Sequence, residues 1–228
     1  VVVAEGYRMD AERLKSEMCD IGRRLWQRGL VAGTDGNLSI RLNANEFLCT
    51  PTNQSKGFLQ PADICLVNAM GKQLAGTKQR SSEVLLHLEI MRARPDVGGV
   101  VHCHAPHATA FAIAGRTVPM GLMAEAEVFL GEIPLAPYVL PGTADFAKTV
   151  LPFVERTNVC LLANHGAVSY GANLEVAYNL MEVLDAYCRI VTLAEQLGPL
   201  HRLSEAERKE LAKVRSNGGY APPTGLDK

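Results

Sequence analysis

Val100-Val101-His102-Cys103-His104-Ala105-Pro106 is the stretch on which the reading of this chain turns. It predicts a strand over Val100 to His104, with Pro106 starting a helical segment that carries His107. Strand side chains point to opposite faces in turn, so His102 and His104 share one face and Cys103 takes the other. Two imidazoles about 7 Å apart along a strand can hold one metal ion at its corner. The cysteine between them points away and makes a poor ligand. Taken alone, the pair equally suits two partly exposed histidines hydrogen-bonded to their neighbours.

A second strand, nearly all apolar, is expected over Val159 to His165, broken by Gly166. It ends in a third histidine. Three neutral imidazoles with an open fourth position describe a catalytic zinc site rather than a closed structural one. His107 reads as a supporting or structural residue, and His87 and His201 as helix residues of the surface or core.

Working outward, Asp10 can cap a first helix whose apolar face is Leu14, Met18, Ile21 and Leu25, with Gly29 as its stop. The run Gly33-Thr34-Asp35-Gly36-Asn37 is loop-forming. Leu38, Ile40 and Leu42 alternate with polar residues as a half-buried strand, Asn43-Ala44-Asn45 turns the chain, and Phe47 to Thr50 returns it as a hairpin. Ile64 to Val67 is a further strand. Ser81-Ser82-Glu83 opens a helix running to Pro95, and the longest helix spans about residues 173 to 197, ended by Gly198-Pro199. Ser204 and Glu207 form a capping-box pattern for a last helix, followed by a loose tail from about residue 217. Helices mixed with hairpins, without repeat or linker, predict one α/β domain over 1–228 with a mixed or antiparallel sheet.

Composition narrows the function classes. The chain has 228 residues, 47 % of them hydrophobic and 21 % charged, which excludes disorder as the main state. Its 23 basic and 24 acidic residues give a net charge of −1, so no global field draws in nucleic acid or an anionic membrane. No apolar run approaches the ~20 residues of a spanning helix, and no secretory signal is expected. Cys19, Cys49, Cys65, Cys103, Cys160 and Cys188 are scattered without a Cys-x-x-Cys pair and read as reduced, mostly buried thiols in a cytoplasm.

Glu83 follows two serines at a helix start, where free N–H groups and a partial positive charge gather. With their hydroxyls, Ser81 and Ser82 make an anion cradle without Arg or Lys; a plain N-cap with an acidic first turn has the same pattern. Gly36-Asn37 and Thr50-Pro51-Thr52-Asn53 have the composition of anion sites too, and each alone is an ordinary turn.

In order along the chain, Gly36-Asn37-Leu38-Ser39, Thr50-Pro51-Thr52, Ser81-Ser82-Glu83, His102-x-His104 and His165-Gly166 resemble the class II aldolase/adducin family, within it most its fuculose-phosphate aldolase branch. The resemblance runs from the first helix to about residue 200. It implies an α/β/α sandwich around a mixed, largely antiparallel sheet, one Zn²⁺ per subunit, and a homotetramer with active sites between subunits. It implies His102, His104 and His165 as zinc ligands and Glu83 as catalytic acid/base. Gly36, Asn37, Thr52, Asn53, Ser81 and Ser82 are implied as the phosphate and substrate site. The implied reaction cleaves a ketose 1-phosphate to dihydroxyacetone phosphate and an aldehyde, with no lysine Schiff base, so Lys56 and Lys78 receive no catalytic role. Sugar-phosphate epimerases and sugar-acid phosphate decarboxylases use the same scaffold, and adducin-like members use it without the histidines. Three positions depart from the pattern: Asn53 replaces a usual glycine, Asp35 precedes Gly36, and Met123 falls near an aldehyde-handling tyrosine. Tyr138, Tyr220, Glu125 and Glu127 are candidates to stand in for that tyrosine.

Overall fold

The structure is a computed structural model describing residues 2–220 and 222, with side chains from Asp10 onward. Its strands are β1 (Asn37–Arg41), β2 (Glu46–Cys49), β3 (Cys65–Asn68), β4 (Gln73–Ala75), β5 (Gly99–Cys103), β6 (Leu135–Ala136), β7 (Val159–Leu162) and β8 (Gly166–Gly171). They form one sheet in the order β4-β3-β2-β1-β5-β8-β7-β6. Every neighbouring pair is antiparallel except β6–β7. The helices are α1 (Val2–Gln27), α2 (Val84–Ala93), α3 (Pro106–Ile113), α4 (Ala124–Phe129), α5 (Ala144–Lys148), α6 (Leu151–Val154), α7 (Leu174–Leu197) and α8 (Glu205–Asn217).

Alternation along the strands sorts the core into two layers. Leu38, Ile40, Val101, Cys103, Val159 and Leu161 face a cluster completed by α1, α3, α4 and α7. Val100, Cys160, Leu162, Val168 and Tyr170 face a second cluster completed by α2, α5 and α6. The predicted sandwich and its mostly antiparallel sheet are therefore present. Because His102 has the parity of Val100, it opens toward the α2 layer.

Several elements differ from the sequence reading. Asp10 does not cap α1, which already runs from Val2, and it is an exposed residue within the helix. The Gly29 stop holds: the Leu30 N–H donates to the Leu25 carbonyl at 2.9 Å and the Gly29 N–H to Trp26 at 3.0 Å. The strand expected over Val159 to His165 ends at Leu162, and Gly166 begins β8 rather than a break. Ala163, Asn164 and His165 form the hairpin turn between them, with Asn164 at φ 54°. His201 lies exposed between α7 and α8, not on a helix. The capping box of α8 is present: the Ser204 hydroxyl accepts from the Glu207 N–H, and the Glu207 carboxylate accepts from the Ser204 N–H. The tail is anchored as far as Tyr220, whose ring packs on Phe129 at 4.9 Å; residues 221 and 223–228 of the expected loose tail lie outside the described residues. No helix among the described residues is long and apolar enough to cross a membrane.

The end of α2 is fixed by a buried guanidinium. Arg94, 2 % exposed, makes a bidentate pair with Asp96 at 2.7 Å and donates to the Val154 and Thr157 carbonyls at 2.8 and 3.3 Å. It thereby ties the α2 end to the segment entering β7. The hydrogen bonds from Arg94 hold the Asp96 carboxyl below its ordinary value. Arg94→Met should lower the unfolding free energy by about 3 kcal/mol in urea titrations. Because the folded Asp96 value is depressed, the pair's contribution is fully present above about pH 4 and is lost as pH falls through the folded value. The gap between wild type and variant should therefore narrow on acidification, and an unchanged midpoint in Arg94→Met contradicts the assignment.

Candidate active site

The three histidines converge. The ring centroids of His102, His104 and His165 lie 5.3, 4.8 and 5.0 Å apart pairwise, and one ligand atom from each falls within 4.8 Å of the others. His102 is the penultimate residue of β5, His104 follows that strand, and His165 comes from the β7–β8 turn. The local sequence makes room for them. A Cβ on Gly166 would lie 2.7 Å from the Cys103 carbonyl oxygen and 2.9 Å from the His104 ring, so only glycine lets the turn close beneath the imidazoles. Gly36, at φ 71°, abuts the His102 carbonyl in the same way, where a Cβ would lie 3.0 Å away.

The nitrogens are sorted by their partners. A carbonyl can only accept, so His102 Nδ1–H donates to Ala167 at 2.8 Å and Nε2 carries the lone pair. That Nε2 and the Nδ1 of His165 are buried and have no hydrogen-bond partner. His104 Nδ1 faces the Asp35 carboxylate at 3.3 Å. Three imidazoles with one nitrogen each within 4.8 Å of the others, and a buried His102 Nε2 that no hydrogen bond satisfies, fit a divalent metal ion. Asp35, a departure from the family pattern in the sequence reading, is thus the group behind His104. Its other oxygen accepts from the Ala32 N–H at 2.8 Å and closes the loop.

Glu83 stands opposite this cluster. It is the N-cap residue of α2, and its side chain makes no capping bond; the Ser81 hydroxyl accepts the Glu83 N–H at 3.2 Å. The carboxylate lies 3.3 Å from His102 Nε2 through one oxygen and 3.3 Å from His165 Nε2 through the other. Asn37 Nδ2 donates to it at 2.8 Å. Burial alone would raise the Glu83 carboxyl, but N–H donation and positive charge from the two imidazoles in their protonated form outweigh it and hold the group well below the usual carboxylate range. Burial also lowers His165, against the opposing pull of Glu83.

The candidate anion loops meet beside Glu83. Asn37 is paired with His102 across β1 and β5. The Thr50 hydroxyl accepts from the Leu38 N–H at 3.1 Å, the Ser81 N–H donates to the Thr50 carbonyl at 3.1 Å, and the Thr52 N–H donates to Gln79 at 2.9 Å. These bonds tie the Gly36–Asn37, Thr52–Asn53 and Ser81–Ser82 segments together at the ends of the interior strands β1 and β2. Ser81 is buried with its hydroxyl half committed, and Ser82 and Asn53 are exposed. Asn53, at φ 54°, takes up the left-handed backbone that the usual glycine would supply.

The remaining histidines and the tyrosine substitutes sort cleanly. His107 bonds Asp185 at 2.9 Å at the start of α3 and is structural. His87 is fully buried in α2, and burial pushes it down to about 3, so it stays neutral. Glu127 is committed to the Gly121 N–H and to Arg208, and Tyr220 to Phe129, while Tyr138 and Glu125 are exposed.

Residues 16–192 match the model of the Class II Aldolase and Adducin N-terminal domain. The chain is 35 % identical over 186 residues to a 5-methylthioribulose-1-phosphate/5-deoxyribulose-1-phosphate aldolase of Rhodospirillum rubrum, covering 80 % of this chain and 83 % of that protein. It is 33 % identical over 204 residues to a 3-oxo-tetronate 4-phosphate decarboxylase of Escherichia coli O6:H1, covering 88 % and 95 %. A solved L-fuculose 1-phosphate aldolase superposes with a TM-score of 0.82 at 27 % identity, over 88 % of this chain and 95 % of that one. The chain belongs to the class II aldolase/adducin family and is an enzyme of its metal-dependent lyase kind, resembling the fuculose-phosphate aldolases.

Proposed function

We propose that the enzyme cleaves a ketose 1-phosphate, L-fuculose 1-phosphate or a close analogue, to dihydroxyacetone phosphate and an aldehyde such as L-lactaldehyde. The observation that carries this reading is the Glu83 carboxylate, held 3.3 Å from both His102 and His165 on the open side of a three-imidazole cluster. His102, His104 and His165 would hold one Zn²⁺, which when bound supplies Lewis-acid polarisation of the substrate's carbonyl and hydroxyl oxygens. In the cleavage direction the C3–C4 bond breaks, the C4 hydroxyl loses its proton as the aldehyde forms, and C3 gains one. Glu83 carries the proton at C3, and the Asn37 amide keeps its carboxylate turned toward the substrate. Gly36, Asn37, Thr52, Asn53, Ser81 and Ser82 bind the phosphate through hydroxyls and backbone N–H groups, which fixes C3 beside Glu83. Tyr138 and Glu125, both exposed, are the groups free to meet the aldehyde half.

The relatives favour one second reading. A decarboxylase is as similar to this chain as the aldolases are, and decarboxylation of a 3-oxo acid phosphate also leaves charge at a carbon beside a carbonyl. Incubation with a panel of ketose 1-phosphates and with 3-oxo-tetronate 4-phosphate separates the two. Dihydroxyacetone phosphate release supports the aldolase, and carbon dioxide release from the acid supports the decarboxylase. We also take the enzyme to be a cytoplasmic homotetramer with sites between subunits. Six free, buried cysteines suit a reducing compartment, and the exposed Trp26–Phe58 ring pair suits a subunit contact.

Three variants test the roles. His104→Ala should lose the bound divalent ion, measured by elemental analysis, and with it activity, while the circular dichroism spectrum stays unchanged; full metal content would contradict the ligand set. Glu83→Gln keeps the shape and should retain metal while turnover falls by roughly 10²–10⁴. Near-normal cleavage and proton exchange in that variant would assign the proton to another group. Ser82→Ala should raise KM more than it lowers kcat, and an equal loss toward unphosphorylated sugars would remove Ser82 from the phosphate site.

A further inference from the structure

Lys56 is 2 % exposed, among the largest fully buried side chains of the molecule, and the catalytic reading leaves it unused. It starts a short 3-10 helix, Lys56–Phe58, against α1, where Gly22 leaves space for its carbonyl. Its ammonium reaches away from that helix into the loops. Nζ donates to the Thr34 carbonyl at 2.8 Å and to the Gln54 carbonyl at 2.6 Å. Thr34 belongs to the loop that delivers Gly36 and Asn37, and Gln54 follows Thr52 and Asn53. One buried cation therefore staples together the two segments that carry four of the six residues read as the phosphate site. Gln54 is held from outside as well, since Lys78 Nζ donates to its Oε1 at 2.6 Å.

The charge has no direct counter-ion. Among the described residues no carboxylate pairs with Lys56, and two carbonyls take two of its three N–H groups. Burial lowers the ammonium to about 8, while Asp35 and Glu83, at longer range, hold it up. It therefore stays mostly protonated at neutral pH. A buried cation that lacks an anion is costly unless one arrives with the ligand.

Resting on the reading of these loops as the phosphate site, we propose that Lys56 is a positioning residue for the substrate phosphate. Its ammonium fixes the two loops through the Thr34 and Gln54 carbonyls and supplies, from behind them, the positive charge that their hydroxyls and N–H groups lack. Binding of the dianion completes the neutralisation that the empty loops leave unfinished.

Titration calorimetry with inorganic phosphate on the zinc-loaded enzyme tests this, comparing wild type with Lys56→Met, Lys56→Arg and Ser82→Ala, with zinc content and melting temperature measured in parallel. Lys56→Met should bind phosphate about ten- to a hundredfold more weakly, with zinc retained and KM raised more than kcat is lowered. Lys56→Arg, which keeps charge and donors, should recover most of the affinity. Ser82→Ala should weaken phosphate on its own account. If Ser82→Ala weakens binding and Lys56→Met does not, the role of Lys56 is overturned while the phosphate site stands. If neither weakens binding, the phosphate site itself falls and this role with it. Equal losses in the methionine and arginine variants also overturn the proposal, because they would mark lysine's shape rather than its charge. Should Lys56→Met not fold, Lys56→Gln replaces it: it keeps an amide donor but no charge, so the same loss is expected and wild-type affinity overturns the role.

Discussion

One hydrogen bond organises the site: His102 Nδ1–H to the Ala167 carbonyl. It is made across the β5–β8 pair, so the register of the sheet and the tautomer of the ring are set together. With Nδ1 committed, Nε2 must carry the lone pair, and it faces Glu83 in a place without water access. A one-residue slip of β5 would turn both His102 and Val100 to the other layer and put Cys103 in the site. The placement of a proposed metal ligand is thus protected by the same backbone pairing that builds the core. The remaining parts are arranged around it: Gly166 clears space beneath the rings, Asp35 stands behind His104, and α2 brings Glu83 to the open side.

Strong periodicity was legible without coordinates. α1, α7, the β1–β2 hairpin and β5 all follow from apolar spacing, and so do the shared face of His102 and His104 and the capping box of α8. Short elements were not. β4, β6, α5 and α6 have five residues or fewer, too short for a period to repeat, and they exist because the sheet and α2 offer apolar surface to cover. The β7–β8 hairpin was hidden because β8 is buried throughout and carries little polar alternation. Its turn also rests on Asn164 in the left-handed region rather than on an Asn-Gly signal. The contacts of Asp35 and Lys56 could not be read, since each meets a partner distant in sequence: His104 for one, the Thr34 carbonyl for the other.

The electrostatics of the site divide it in two. At one end the Glu83 carboxylate lies among imidazoles, with Asp35 beside His104; at the other, loops rich in hydroxyls and N–H groups lie near the buried Lys56 ammonium. On the proposed reading, a ketone phosphate would span such a pair of poles whether the bond that breaks beside the carbonyl releases an aldehyde or carbon dioxide. That common demand explains how an aldolase and a decarboxylase can both be near relatives of one chain. What distinguishes them must lie where the substrate's other end emerges.

The sheet is bounded by β4 and β6, three and two residues long. Neither margin offers a row of unpaired N–H and C=O groups long enough to template another strand. β3, next to one margin, is further shielded by the irregular pairing between Leu66 and Val67. Copies of this chain are therefore poorly suited to joining edge to edge into a continuous ribbon, even at the high concentration of an expressing cell. The proposed assembly would instead use side-chain surfaces, where geometry can close and stop growth.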